Sequence, residues 1–169
     1  MDKNNITYLY KHLTPLIFTL KNEKNKKNII VSAFIISVSD QWFLITAGHW
    51  FSEIRKLKEA KFSIISTRII DYIGWDSKHI EPVSFVYDEE KLINLSEVYG
   101  LSYDYGVYPL SQYLRESLEF NNIEPLNEEV WLKQPTDFEE YWLVGIPHEL
   151  ISQEQNQINL IQGQFKLKD

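Results

Sequence analysis

Short runs of β-branched and aromatic residues, separated by polar turns, dominate the hydrophobic pattern of this 169-residue chain. The runs Asn28–Val38 and Trp42–Ala47 are joined by three polar residues, which predicts a β-hairpin. Further strands are predicted over Lys61–Ser66, Arg68–Gly74, Pro82–Tyr87, Tyr105–Leu110, Tyr141–Ile146 and Ile158–Leu167. Strands this short, with turns between them, favour a mainly β fold of barrel type over a βαβ sheet.

Two segments change to helical spacing. Between Gly48 and Glu59, apolar residues recur three apart with charged residues between them, which predicts a helix. Ser111 precedes Gln112–Phe120, and its hydroxyl can accept a hydrogen bond from a free backbone N–H of a first helical turn. Alternation along the strands predicts the core residues: Phe34, Ile36, Phe43, Ile45, Val107 and Val144.

Length and charge narrow the class of protein. At ~150 residues per domain, the chain has room for one domain. Its 17 basic and 24 acidic residues give a net charge of −7, which disfavours nucleic-acid binding by bulk electrostatics. The absence of cysteine excludes disulfides, thiolate metal sites and a cysteine nucleophile.

No stretch approaches the ~20 apolar residues of a membrane-spanning helix, so no membrane association is expected. The apolar run Leu13–Leu20 is not followed by a small-residue cleavage pattern, and a cytoplasmic location is therefore expected. The four histidines show no metal-ligand spacing, so neither a metal nor another cofactor is predicted.

Candidate chemistry centres on His49 and Asp104. His49 stands where a predicted strand runs into a predicted helix, a position that suits a general base because backbone holds it on both sides. Asp104 immediately precedes the strand Tyr105–Leu110. An aspartate that accepts the ring N–H of a histidine fixes its tautomer and stabilises the imidazolium. We therefore predict both residues at one rim of a barrel, with a carboxylate oxygen within ~3.2 Å of a ring nitrogen.

Each residue alone also has a structural interpretation. A lone histidine more often packs or hydrogen-bonds than catalyses, and an aspartate before a strand is usually a turn residue. The competing acids are Asp71, Asp76 and Asp88, none of which leads into so apolar a strand. The order of motifs along the chain is what favours His49 with Asp104.

That order resembles the trypsin-like (chymotrypsin-fold) serine peptidases, particularly divergent bacterial ones. Ser32–Ile36 is similar to the family's small-small-aromatic-aliphatic strand, and Thr46–His49 to its Thr-Ala-small-His. Asp104–Val107 is similar to Asp-hydrophobic-Ala-aliphatic, with Tyr and Gly substituted, and Gly145–Pro147 to the Gly-aromatic-Pro strand that opens the second barrel. The resemblance covers roughly residues 28–148 and implies that His49 is the catalytic base and Asp104 its orienting acid.

The resemblance also implies a domain layout. Residues 1–27 would be an N-terminal extension, 28–126 a first β-barrel that carries His49 and Asp104, and 127–169 a partial second barrel. Two or three short helices would accompany the barrels.

The nucleophile of the family is absent. The family places it in Gly-x-Ser-Gly-Gly after the Gly-x-Pro strand, whereas Ser152 is the single serine after Gly145 and has no neighbouring glycine. The resemblance therefore implies a serine peptidase-related protein, truncated before its nucleophile, that hydrolyses peptide bonds only if completed by a serine outside this sequence. The alternative is a catalytically inactive protease-fold module that binds a protein or peptide. The tail strand Gly163–Lys168 would leave an open barrel edge for self-association.

Overall fold

The computed structural model of the protein describes residues 12–70, 82–95 and 103–132, and the backbone of 141–145, 151–154, 157–160 and 163–167. Its strands are β1 (Leu16–Lys21), β2 (Lys26–Val31), β3 (Ala33–Val38), β4 (Gln41–Ala47), β5 (Ser63–Ile69), β6 (Val83–Phe85), β7 (Ile93–Asn94), β8 (Tyr105–Pro109), β9 (Tyr141–Gly145), β10 (Ile151–Glu154), β11 (Gln157–Leu160) and β12 (Gly163–Leu167). Its helices are α1 (His49–Glu59), α2 (Gln112–Phe120) and α3 (Glu128–Trp131), with a 3₁₀ turn at Glu89–Lys91. The mainly β prediction is confirmed.

Eight of these strands form two antiparallel four-stranded sheets. Sheet I has the order β2-β1-β5-β6, and sheet II has the order β3-β4-β8-β7. The chain crosses from sheet I to sheet II twice, each time from an edge strand of one sheet to an edge strand of the other. At one edge β2 becomes β3 with only Ser32 between them, and at the other β6 leads to β7 through residues 86–92.

The main core lies between the two sheets and is closed by α1 and α2. Apolar residues of both sheets, both helices and the segments that follow β8 and α2 contribute to it: Leu16, Phe18, Leu20, Ile29, Val31, Ala33, Ile35, Trp42, Leu44, Phe51, Ile54, Ile69, Tyr108, Leu110, Leu114, Leu118 and Ile123. The helices bury apolar residues three or four apart, Phe51 and Ile54 in α1 and Leu114 and Leu118 in α2. Ser111 caps α2 as predicted, its hydroxyl accepting a hydrogen bond from the Leu114 N–H.

The position of β1 contradicts the expectation that residues 1–27 form an N-terminal extension. Leu16–Lys21 forms an inner strand of sheet I, paired with β2 on one side and with β5 on the other. Five consecutive residues from Leu16 to Leu20 are buried, which is the pattern of a strand covered on both faces. The expected boundary at residue 27 falls inside the β1–β2 hairpin.

The predicted core face of sheet II is also corrected. Phe34 is 37% exposed and Ile36 is half-buried, whereas their neighbour Ile35 is 1% exposed. Phe43 and Val107 are likewise only half-buried. Of the predicted set, Ile45 is buried, and the side chain of Val144 lies outside the described residues. Both faces of these strands carry apolar residues, so alternation alone cannot choose between them, and a shift of one residue exchanges the faces.

Two local predictions also differ from the structure. The sequence predicts separate strands over Lys61–Ser66 and Arg68–Gly74, but Ser63–Ile69 is one continuous strand, with an irregularity where it pairs with Thr19 and Leu20 of β1. Residues 71–74 of the second predicted strand lie outside the described residues. The segment Ile158–Leu167, predicted as one strand, contains parts of two strands with different partners, since β11 pairs with β10 and β12 pairs with β9. In the described part of the chain, no helix is long and apolar enough to cross a membrane.

Candidate functional site

The end of β4 brings His49 to one end of sheet II. Gly48 links β4 to α1, and its N–H donates to the Asp104 carbonyl oxygen at 3.0 Å. A Cβ on Gly48 would lie 2.8 Å from the Asn94 Oδ1 and 3.1 Å from the Tyr105 carbonyl oxygen. A side chain on residue 48 would require the Asn94 side chain to move and the Tyr105 carbonyl to give by a few tenths of an ångström, so glycine suits the close approach that brings His49 to Asp104.

Asp104 contacts His49 through both carboxylate oxygens. Oδ1 accepts a hydrogen bond from the His49 backbone N–H at 2.7 Å, and Oδ2 is hydrogen-bonded to the ring Nδ1. With the carbonyl bond to Gly48, Asp104 has three contacts to the start of α1. The predicted contact between these residues is confirmed, and it comes from strand pairing, because Ala47 of β4 lies opposite Tyr105 of β8.

The electrostatics of the pair follow from these bonds. The hydrogen bond to the His49 ring is the main cause that lowers the pKa of Asp104 below its usual value, and the backbone N–H groups of His49 and Gly48 act in the same direction. A carboxylate held in its charged form keeps its partner nitrogen as a donor. The His49 ring is therefore oriented with Nδ1 toward Asp104.

The pair is open to solvent. The side chains of His49 and Asp104 are 57% and 51% exposed. The Trp50 ring centre lies 5.2 Å from the His49 ring centre, and Tyr103 and Tyr105 are exposed beside Asp104 in the chain. Among the described residues, the His49 ring is thus accessible to solvent and lies beside aromatic side chains.

The helix that presents His49 is supported by aromatic residues, of which Phe51 and Tyr108 are buried and Tyr87 is half-buried. Phe51 is 2% exposed and packs so closely over Gly106 that a Cβ there would lie 2.3 Å from its ring. The Phe51 ring stacks on Tyr87 at 6.1 Å, and Tyr87 stacks on Tyr108 at 5.8 Å. Burial raises the pKa of the Tyr87 phenol, so this residue stays neutral. The support beneath His49 is consequently apolar and uncharged.

Ion pairs hold the outer side of α1. Arg55 Nε and Lys58 Nζ both contact the carboxylate of Glu89, which belongs to the 3₁₀ turn between β6 and β7. The two hydrogen bonds lower the pKa of Glu89, with the larger effect from Lys58. The orientation of α1 is therefore fixed both by its buried face and by this exposed contact.

Sequence reasoning found the pair but missed most of its support. In the sequence Gly106 is only a departure from the family motif, and nothing in the pattern indicates that Phe51 fills the space left by its missing methyl group. Asn94 lies on β7, a two-residue strand that is too short to be predicted from local propensity.

The other candidates are placed as follows. Asp88 accepts a hydrogen bond from the Glu90 N–H and is thus a turn residue. Asp71, Asp76, Ile146 and Pro147 lie outside the described residues, whereas Gly145 ends β9. Ser152 is in β10, opposite Asn159, and its side chain is not among those described.

Comparisons with known proteins add no family assignment. The chain matches no protein-family model, no curated protein and no solved structure.

Proposed function

We propose that this protein is related to the trypsin-like serine peptidases and that His49 and Asp104 are its base and orienting acid. The observation that carries the proposal is the double contact of Asp104 with His49, to the ring Nδ1 and to the backbone N–H. A turn residue needs only the backbone bond. The additional ring bond selects the tautomer in which Nε2 accepts a proton.

The strand topology supports the same proposal. If β2–β3 and β6–β7 are each taken as one bent strand, the two sheets join into a six-stranded antiparallel arrangement that returns on itself. Such an arrangement would correspond to the first barrel expected for this family. His49 would then lie just after β4 and Asp104 just before the neighbouring strand β8, at one rim of that arrangement.

The reaction would be acyl transfer from a peptide bond. His49 Nε2 would take the proton of a serine hydroxyl as the oxygen attacks the carbonyl carbon, and it would then return that proton to the leaving amine. Asp104 would stabilise the imidazolium formed between these steps. The serine and the oxyanion donors would come from outside this sequence, and the 169-residue chain alone is predicted to be inactive.

The first test measures the tautomer of His49 by ¹⁵N NMR on the 169-residue chain. Neutral His49 is expected to carry its proton on Nδ1, and Asp104→Asn is expected to move the population toward the Nε2–H form. Asp88→Asn, which changes the other described aspartate near α1, is the matched control and is expected to leave the tautomer unchanged. A wild-type His49 with its proton on Nε2 would remove the base from the proposal.

The second test measures the nucleophile. A serine-directed fluorophosphonate is expected to leave the 169-residue chain unlabelled. Stoichiometric labelling at Ser152, lost in Ser152→Ala, would contradict the proposed location of the nucleophile and make this chain a self-contained peptidase.

The catalytically inactive protein-binding module is the alternative, favoured by the missing Gly-x-Ser-Gly-Gly motif. The coding sequence beyond codon 169 separates the two functions. A downstream Gly-x-Ser-Gly-Gly, whose serine is labelled by fluorophosphonate in the joined protein but not in its His49→Ala variant, supports the enzyme. Absence of the motif in all three frames supports the binding module.

A further inference from the structure

A groove lies between strand β6 and helix α2, separate from His49 and Asp104. Its first cavity has a volume of about 530 Å³ and is lined mainly by apolar side chains, among them Ile65, Phe85, Tyr108 and Leu114. A second cavity of about 550 Å³ continues along β6 and α2 and shares Ser84 and Tyr113 with the first. The two cavities therefore form one elongated groove.

Exposed apolar side chains surround this groove. Val86 is 89% exposed, Phe120 is 82%, Tyr113 is 71% and Ile65 is 54%. Single exposed apolar residues are ordinary, but a group of them along one groove is typical of a binding surface. Apolar cavities of 300–1,000 Å³ with a few polar groups are the usual form of ligand sites.

Strand β6 indicates the shape of the ligand. It pairs with β5 along one edge, and no strand pairs with its other edge within residues 12–70, 82–95 and 103–132. An edge strand beside a groove can accept an extended peptide as an additional strand, with alternate side chains entering the groove. The elongated form of the groove and the free edge together favour an extended peptide over a compact small molecule.

The charges on the groove indicate the polarity of that peptide. Lys91 lines the first cavity, and Glu116 lines the second. Lys91 is 59% exposed, and its ion pair with Asp88 is long, at 3.6 Å. A carboxylate beside Lys91 would thus find a cation that is only weakly paired.

We propose that this groove binds an extended peptide segment, which adds to the free edge of β6, places an apolar side chain in the first cavity and sets a carboxylate beside Lys91. The proposal is independent of the proposed peptidase chemistry, because none of its residues belongs to the His49–Asp104 pair. Such a peptide would be a segment of a partner protein, and its binding would not depend on hydrolysis of a peptide bond.

The test begins with a phage-displayed library of random dodecapeptides with free carboxyl termini, selected on the 169-residue chain. Enriched peptides are synthesised, and their affinities are measured by fluorescence anisotropy. We expect enriched sequences to share an apolar residue near a carboxylate and to shift the backbone NMR signals of Val83–Phe85 and α2. No enrichment over a blank surface, or shifts confined to other strands, would overturn the proposal.

Three variants test the contacts. Ile65→Trp, which places a larger side chain in the cavity, and Lys91→Glu are each expected to weaken binding at least tenfold. Lys24→Glu makes the same charge change in the exposed β1–β2 turn and is expected to leave affinity unchanged. Unaltered thermal unfolding of each variant separates loss of binding from loss of folding. Binding to Ile65→Trp as tight as to the wild type would refute the assigned cavity.

Two further experiments identify which peptide carboxylate Lys91 contacts and which class of ligand the groove binds. Amidation of the peptide terminus weakens binding if Lys91 contacts a terminal carboxylate, and replacement of acidic side chains by amides weakens it if Lys91 contacts one of those. If neither change weakens binding, the proposed contact between Lys91 and a peptide carboxylate is wrong. N-acetyl-leucine tests a compact ligand. If it competes at the same concentration as the full peptides, the groove is a small-molecule site and the peptide proposal fails.

Discussion

Gly106→Ala tests whether α1 and β8 are packed as tightly as the site requires. The new Cβ would lie 2.3 Å from Phe51 Cε2 and 2.8 Å from Cδ2. Ordinary contact begins at 3.4 Å, so the ring must move by about 1.1 Å. Phe51 is 2% exposed and stacks on Tyr87, so it has little room to move. Overpacking of this kind costs ~1–3 kcal/mol of unfolding free energy.

Urea denaturation followed by tryptophan fluorescence measures this cost. Phe51→Leu removes the ring that the new methyl group meets, so the double variant is expected to lose at least ~1 kcal/mol less than the sum of the two single variants. Ser63→Ala, at an exposed position of β5, is the control and is expected to stay within ~0.5 kcal/mol of the wild type.

The same variant also reports on the site. Phe51 lies two residues after His49, so movement of its ring displaces the start of α1 and weakens the bond from the His49 ring to Asp104. The NMR tautomer populations of His49 should then become more equal in Gly106→Ala. A Gly106→Ala protein within ~0.5 kcal/mol of the wild type, or additive effects in the double variant, would refute the packing argument.

Three other predictions follow from burial, capping and charge. Ile35→Ala is expected to cost ~2–5 kcal/mol and Ile36→Ala clearly less, by urea denaturation; the reverse order would restore the originally predicted face of sheet II. Ser111→Ala removes the cap of α2 and is expected to cost ~0.5–2 kcal/mol, with equal stability contradicting the cap. Because the folded-state pKa of Asp104 is lowered, its stabilisation is present above pH ~4 and is lost as the pH falls through the folded value. Asp104→Asn should remove this pH-dependent part of the unfolding free energy, which amounts to less than ~1 kcal/mol because the pair is half exposed. A pH–stability curve unchanged by the substitution would contradict the contact.

The sequence by itself was sufficient for the elements that depend on local chemistry. The hairpin of β3 and β4, the helix after Gly48 and the cap at Ser111 follow from residue type and spacing over a few positions. The meeting of His49 with Asp104 was also predictable, because each stands at the end of an apolar strand and the order of motifs along the chain indicated neighbouring strands.

The tertiary structure decided the features that depend on contact between residues far apart in the sequence. Ile35 rather than Ile36 is buried because sheet I lies against one face of β3, and the strand itself is apolar on both faces. β1 lies inside its sheet because β5, more than 40 residues later, pairs with it. Gly106 requires glycine only because Phe51 occupies the space of a side chain. Local propensity acts along the chain, whereas burial and steric exclusion act across it, and only the folded arrangement specifies which residues meet.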